Sequence, residues 1–331
     1  MDTTTASASP SPSPASAPAA APPSAPVPSS GAAGGARSAV PATSHGAFGG
    51  AAYVHGYSGE ETARLRAQAD VLAALLHDGP GYPAGSRVLE AGCGVGAQTM
   101  HLVAASPDAH VVALDRSAAS LAEARARLAA HAPHARLEFR QADLYELPFA
   151  EGEFDHVFVC FVLEHLADPV GALAGLRRVL RPGGTITVIE GDHGSAFFHP
   201  ASERATAAID CLVALQAAAG GNGLIGRRVQ PLLSAAGFAE VEVRPRTVYA
   251  DETRPELVEG FTRNTFIGMV EGVREEAVAA GLSTAEEFAR GLDDLRLTAG
   301  PGGIFHYTFF KGHAVKPAAP SAGRRAAGRA R

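Results

Sequence analysis

Glu90, Gly92, Gly94 and Gly96 fall within one run, VLEAGCGVG from Val88 to Gly96, in which an apolar strand ends in an acid and turns at once through Gly-x-Gly-x-Gly. Glycines suit that reversal because it demands unusual backbone angles and lets the main chain approach a ligand with no Cβ in the way. A helix starting near Ala97 would aim its amide groups and positive dipole end at whatever lies over the glycines. The expected occupant is a cofactor containing a nucleoside. Its identity stays open at this point, because Gly92, Gly94 and Ala97 also fit the dinucleotide fingerprint.

Two acids downstream bear on the same crevice. Asp115 ends the second apolar run, where a carboxylate can accept both hydroxyls of a ribose; a helix N-cap acid is the plainer alternative. Asp143, in QADL just after the third strand, could accept a hydrogen bond from an adenine amino group. The run Glu190, Gly191, Asp192, His193 and Gly194 follows the fifth strand and reads as a loop shaped by glycines for close approach. There His193 is the candidate general base, with Asp192 or Glu190 orienting it or the substrate. Glu164 and His165 follow the fourth strand; His165 reads as a packing residue and the role of Glu164 is open. Between Tyr53 and Gly59, aromatics alternate with glycines, which suggests a segment that closes over bound cofactor through Tyr57.

The elements that must position these groups alternate. A helical stretch covers 60–77, then strands are expected at 87–91, 110–115, 136–140, 154–161, 185–190, about 240–248 and 303–310. Helices are expected at 97–105, after Ser117 or Ser120, through Leu173, Leu176 and Leu180, and near 227–236. The turn between the helix around Leu173 and the fifth strand is RPGG, Arg181–Gly184. Such alternation implies a parallel sheet with helices on both faces. Two stretches do not fit it, about 195–225 and 251–298, and read as helical insertions forming a cover; Ser283 and Glu286 make a capping-box signature in the second. Arg263, between aromatics in that insertion, could bind an anionic group or stand in solvent.

Composition sets the outer limits. Residues 1–45 are almost wholly Ala, Pro, Ser, Thr and Gly, a composition that cannot bury a packed face, so a disordered tail is expected there. Residues 46–315 should form the folded domain and 316–331 a basic tail with Lys316 and four arginines. Without those positive charges the body is more acidic than the −6 of the whole chain, which argues against a nucleic-acid backbone as partner. No apolar run is long enough to span a membrane. Cys93, Cys160 and Cys211 show no paired spacing, so neither a metal site nor a disulfide framework is expected, and a cytoplasmic protein is.

The motifs stand in order: Glu90-x-Gly92-x-Gly94-x-Gly96, Asp115, Ala142-Asp143-Leu144, Phe154-Asp155-His156-Val157, Leu163-Glu164-His165-Leu166 and Leu180–Gly184. As a set this resembles the class I S-adenosylmethionine-dependent methyltransferases, and most of all the small-molecule branch similar to quinone-biosynthesis enzymes. The resemblance covers 85–190 well and 227–311 by topology. It implies a Rossmann-like, mostly parallel α/β sheet of seven strands with the last antiparallel, and S-adenosyl-L-methionine as cofactor. It also implies roles: Glu90, Gly92, Gly94 and Gly96 at the methionine part, Asp115 at the ribose, Asp143 and Leu144 at the adenine, and the Phe161 carbonyl near the methionine amino group. Arg116 departs from the apolar residue often found beside that adenine. The implied activity is methyl transfer to a small molecule by in-line displacement; an RNA or protein methyltransferase, or a non-catalytic cofactor-binding protein, is the alternative. A rival oxidoreductase reading would pair Tyr307 with Lys311, but on a strand positions four apart stand about 13 Å from each other.

Overall fold

A computed structural model describes residues 59–318. Gly59–Leu76 (α1) precedes Arg87–Ala91 (β1), Ala97–Ala105 (α2), His110–Asp115 (β2), Ala118–His131 (α3), Leu137–Gln141 (β3) and Phe154–Cys160 (β4). Pro169–Val179 (α4), Leu180–His199 (β5), Glu203–Ala218 (α5), Val229–Ala235 (α6), Ala239–Ala250 (β6) and Ile304–Val315 (β7) follow. The strands form one sheet in the order β3-β2-β1-β4-β5-β7-β6. The pairs from β3 to β5 are parallel, and β7 runs antiparallel to both β5 and β6. The result is the Rossmann-like arrangement expected.

Burial on both faces explains why the central strands are apolar throughout. Along β1, Val88 joins one core layer and Leu89 the other; along β4, Phe158 and Val157 divide in the same way. The period of two in a strand requires this. Leu72 of α1, Leu102 of α2 and Leu212 of α5 lie on the Phe158 side, whereas Leu173 of α4 and Leu233 of α6 lie on the Val157 side. Ser117 caps α3 by accepting from the Ser120 amide, and Asp168 caps α4 by accepting from that of Gly171.

Several local expectations shift. The fifth strand is far longer than 185–190: Leu180 pairs with Phe154, the register then jumps to Thr185 opposite His156, and pairing runs on to His199. The RPGG sequence is therefore an outward excursion within β5, with Gly183 at φ 75°. The segment from Glu190 to Gly194 is likewise strand, with Glu190, Gly191 and Asp192 opposite Phe310, Phe309 and Thr308. Its glycines suggested a loop; long-range pairing with β7 overrides that local signal. Extension of β7 to Val315 carries Lys316, read as the start of a tail, to a buried position where its ammonium donates to the carbonyls of Arg178 and Leu180.

Between β5 and β6 the cover is α5; between β6 and β7 it is a π-helical segment, Val258–Ile267, followed by helices to Leu297. The capping box sits one residue later than expected, with Thr284 and Glu287 exchanging hydrogen bonds. Among the described residues no helix is long and apolar enough to cross a membrane, and no cluster of three His, Cys, Asp or Glu could hold a metal. All three cysteines are buried and unpaired.

Candidate functional site

The three loop glycines serve three different ends. All have positive φ, at 78°, 52° and 74° for Gly92, Gly94 and Gly96. A Cβ at Gly92 would meet Val162 Cγ2 at 2.6 Å, and one at Gly96 would crowd Leu128 and Ala124 of α3, whereas at Gly94 it would meet nothing within 4 Å. Gly96 is thus a packing glycine outside the cavity lining, and Gly94 is the one whose backbone lies open. Asp115 fixes that opening: Oδ2 accepts from the Gly94 amide at 2.9 Å and Oδ1 from that of Ser117 at 2.8 Å. Behind the loop Glu90 is 2 % exposed. Its Oε2 has no hydrogen-bond partner among the described residues, and burial pushes its carboxyl up to about 7. A buried carboxylate oxygen without a donor, behind a glycine loop that a ligand can approach closely, suits a cationic ligand group.

These residues line one cavity of about 750 Å³ at the carboxyl ends of the central strands. Asp143 and Leu144 lie on its wall beyond β3, where Asp143 Oδ1 also accepts from the Tyr145 amide. Arg116 and Phe161 line it as well; Phe161 takes a positive φ of 58°, uncommon for an aromatic residue, and its amide donates to Ile189 O. Tyr57 and the segment 53–58 lie outside the described residues.

The far wall is built by β5, β7, the turn after β4 and the π-helical segment. His193 is 4 % exposed and lines the cavity. Its Nδ1 is 2.9 Å from the Tyr307 hydroxyl and its Nε2 is 3.8 Å from Glu164 Oε2. Desolvation holds its pKa below the ordinary histidine value, although Glu164 pulls the other way. His165 also lines the cavity, its Nε2 3.6 Å from Glu164 Oε1. Phe261, Phe266 and Phe309 surround the Tyr307 ring, with centroid separations of 5.5, 5.4 and 4.8 Å. Gly191 is cut to fit that hydroxyl: a Cβ there would come within 2.4 Å of it.

Because 190–194 is a strand, alternate residues face opposite ways. Gly191 and His193 line the cavity; Glu190 and Asp192 do not, which corrects the expectation that either orients His193 or the substrate. Asp192 is held in a bidentate pair by Arg227, at 2.6 and 2.7 Å. Glu190 is fully buried, and its Oε1 accepts from the amides of Val162 and Leu163 at 3.0 and 2.7 Å. Burial, with the nearby charge of Glu164, pushes its carboxyl up to about 8. The partner that Asp192 was expected to be is Tyr307, 114 residues away in sequence from His193. Arg263 stays out of the cavity, pairing with Glu259 and donating to Ala299 O.

Comparison with known proteins agrees with this geometry. Residues 89–188 match the family described as "Methyltransferase domain". An uncharacterized 37.1 kDa protein in transposon TN4556 of Streptomyces fradiae is 36% identical over 224 residues, covering 66% of this chain and 59% of that one. Demethylmenaquinone methyltransferase of Clavibacter sepedonicus is 41% identical over 107 residues, covering 32% of this chain and 42% of that enzyme. Phosphoethanolamine N-methyltransferase 2 of Haemonchus contortus, solved with S-adenosyl-L-methionine, superposes with a TM-score of 0.46 at 22% identity, covering 75% of this chain and 52% of that one. The match thus spans less than two thirds of each relative's own length. Residues 89–188 carry an S-adenosylmethionine-dependent methyltransferase domain, and its sequence is similar to that of quinone-biosynthesis methyltransferases.

Proposed function

We propose that the chain transfers the methyl group of S-adenosylmethionine to a small-molecule acceptor. The observation that carries this reading is one cavity that joins the glycine loop, Glu90 and Asp115 to an aromatic wall bearing His193. When bound, the cofactor supplies a methyl group on a sulfonium, already a good leaving group. Glu90 would accept from its ammonium and Asp115 from its ribose hydroxyls, Gly94 would let the main chain approach it, Asp143 and Leu144 would border the adenine, and the Phe161 carbonyl would serve the amino group. The aromatic wall orients the acceptor and keeps water out, which is most of what an in-line displacement asks of a protein. A recessed cavity suits a small acceptor better than a polymer, and three buried unpaired cysteines suit the cytoplasm.

The test is incubation of the purified chain with methyl-labelled cofactor and a lysate of its host, followed by size fractionation. Label in the small-molecule filtrate, abolished by Asp115→Ala, supports the reading. Label held with RNA or protein overturns the substrate class. Cofactor binding without label in any fraction favours a non-catalytic binding protein.

A further inference from the structure

At the acceptor end of the cavity the hydrogen-bond accounting is one proton short. His193 Nδ1 is served by the Tyr307 hydroxyl at 2.9 Å. His193 Nε2 has no hydrogen-bond partner among the described residues, since Glu164 Oε2 at 3.8 Å is beyond reach. Gln216, almost fully buried, braces Glu164 by donating to that same Oε2 at 3.4 Å. An imidazolium here would donate from Nδ1 to the Tyr307 oxygen at 2.9 Å, and its charge would be offset by the Glu164 carboxylate, 3.8 Å from Nε2. The neutral ring leaves one nitrogen unanswered, and a buried nitrogen of that kind costs free energy unless a ligand answers it.

The walls limit what that ligand can be. Phe261, Phe266, Phe309 and Met269 line the same end. The cation whose charge reaches His193 there is Arg64, and both its Nε and Nη2 are held by Glu61 at 2.7 Å. An acceptor with an anionic group would find that guanidinium engaged. A neutral amine or a thiolate has little need of a base, whereas a hydroxyl gains from one.

We propose that the acceptor is an uncharged, largely apolar hydroxyl compound, that it is methylated on oxygen, and that His193, backed by Glu164 and Tyr307, takes its proton. This rests on the methyl-transfer reading above. The acceptor O–H bond breaks and its proton passes to His193 Nε2, with the Nδ1 proton held on the Tyr307 oxygen. The acceptor oxygen forms a bond to the methyl carbon as the carbon–sulfur bond breaks, and that electron pair stays on sulfur as a thioether. The proton rests on the imidazolium between Tyr307 and Glu164 until solvent removes it. His193 is the catalytic residue; Tyr307 and Glu164 are positioning residues.

The acceptor atom can be read without knowing the acceptor. The full chain, supplied with cofactor carrying a carbon-13 methyl group and with host extract, yields a product whose methyl carbon shift distinguishes bonds to oxygen, nitrogen, carbon and sulfur. A methoxyl signal in the solvent-extractable fraction is expected. A signal for methyl on nitrogen, carbon or sulfur overturns the proposal and leaves methyl transfer standing; no labelled product overturns both. With the product in hand, His193→Gln should lower kcat by roughly a hundredfold or more at unchanged cofactor affinity. Tyr307→Phe should displace the pH profile of kcat, which a merely structural tyrosine would not do. Glu164, His165, Arg64 and Tyr307 face His193 and set this profile, together with the charge of Asp192 on the opposite side of the strand. A methoxyl product made as fast by His193→Gln, or an unmoved profile in Tyr307→Phe, removes the proton-accepting role.

Discussion

Replacing Gly191 by alanine probes the acceptor wall at its tightest point. An ideal Cβ there would stand 2.4 Å from the Tyr307 hydroxyl oxygen and 3.3 Å from its Cζ, where ordinary contact begins at 3.4 Å. The hydroxyl must therefore yield by about 1 Å. Its ring is fixed by Phe261, Phe266 and Phe309, so the motion comes at the expense of the 2.9 Å bond to His193. The side chain either stays and is compressed or withdraws and leaves buried His193 without its partner. These are alternatives rather than a sum, and either costs about 1–3 kcal/mol. Tyr307→Phe loses the bond but removes the obstructing oxygen, leaving Cζ within a tenth of an ångström of ordinary contact. In that background Gly191→Ala should add almost nothing. A double-mutant cycle on urea unfolding should therefore give a coupling of about 1–3 kcal/mol between positions 191 and 307. Additive effects, or a Gly191→Ala protein as stable as its parent, would refute the close fit.

Two further predictions concern buried acids. Burial raises Glu190 from 4.5 to about 8 in the folded state, so the folded chain keeps a proton that the unfolded chain releases. Stability from this group is complete below about 4.5 and falls as pH rises toward about 8. Glu190→Gln can still accept from the Val162 and Leu163 amides but cannot ionise, and its unfolding midpoint should fall less across that window than the parent's; parallel curves would sink the assignment. Glu90, raised to about 7, must give up its proton to receive an ammonium, so cofactor binding should release a proton and tighten as pH rises through that value. Calorimetry in two buffers of different ionisation enthalpy measures this, and equal heats in both would count against Glu90 as the ammonium's partner.

The cofactor half of the site was legible because its signals are local. Strand, glycine turn and helix lie within 88–105, and the acid at 115 closes the next strand. The acceptor half was not, because it is assembled by pairing between strands far apart in sequence. Gly191 and Gly194 looked like loop punctuation, yet one is cut to admit a tyrosine from β7 and the other would crowd Arg227 and Leu224. Once 190–194 is a strand, the period of two turns Asp192 away from His193 and brings in Tyr307, which the sequence offered only as a dehydrogenase spacing that failed. As sequence, the aromatic run 261–266 left Arg263 either at an anionic group or in solvent. Its π-helical winding, in which Thr265 donates to Gly260 O, puts Phe261, Thr265 and Phe266 on the cavity and Arg263 outside.

Glu190 also bears on how such a protein can change its substrate over generations. Its carboxylate ties β5 to the turn after β4, and Val162, whose amide it holds, is the side chain against which Gly92 is cut. The cofactor loop and the strand carrying His193 therefore share a joint inside the sheet. The cover helices, which enter the chain after β5 and after β6, lie outside that joint. A lineage can exchange those inserts, and with them the shape offered to an acceptor, without disturbing the alignment of the two halves. A change at Glu190 would disturb both at once, so new specificities should arise in the inserts and leave the joint alone.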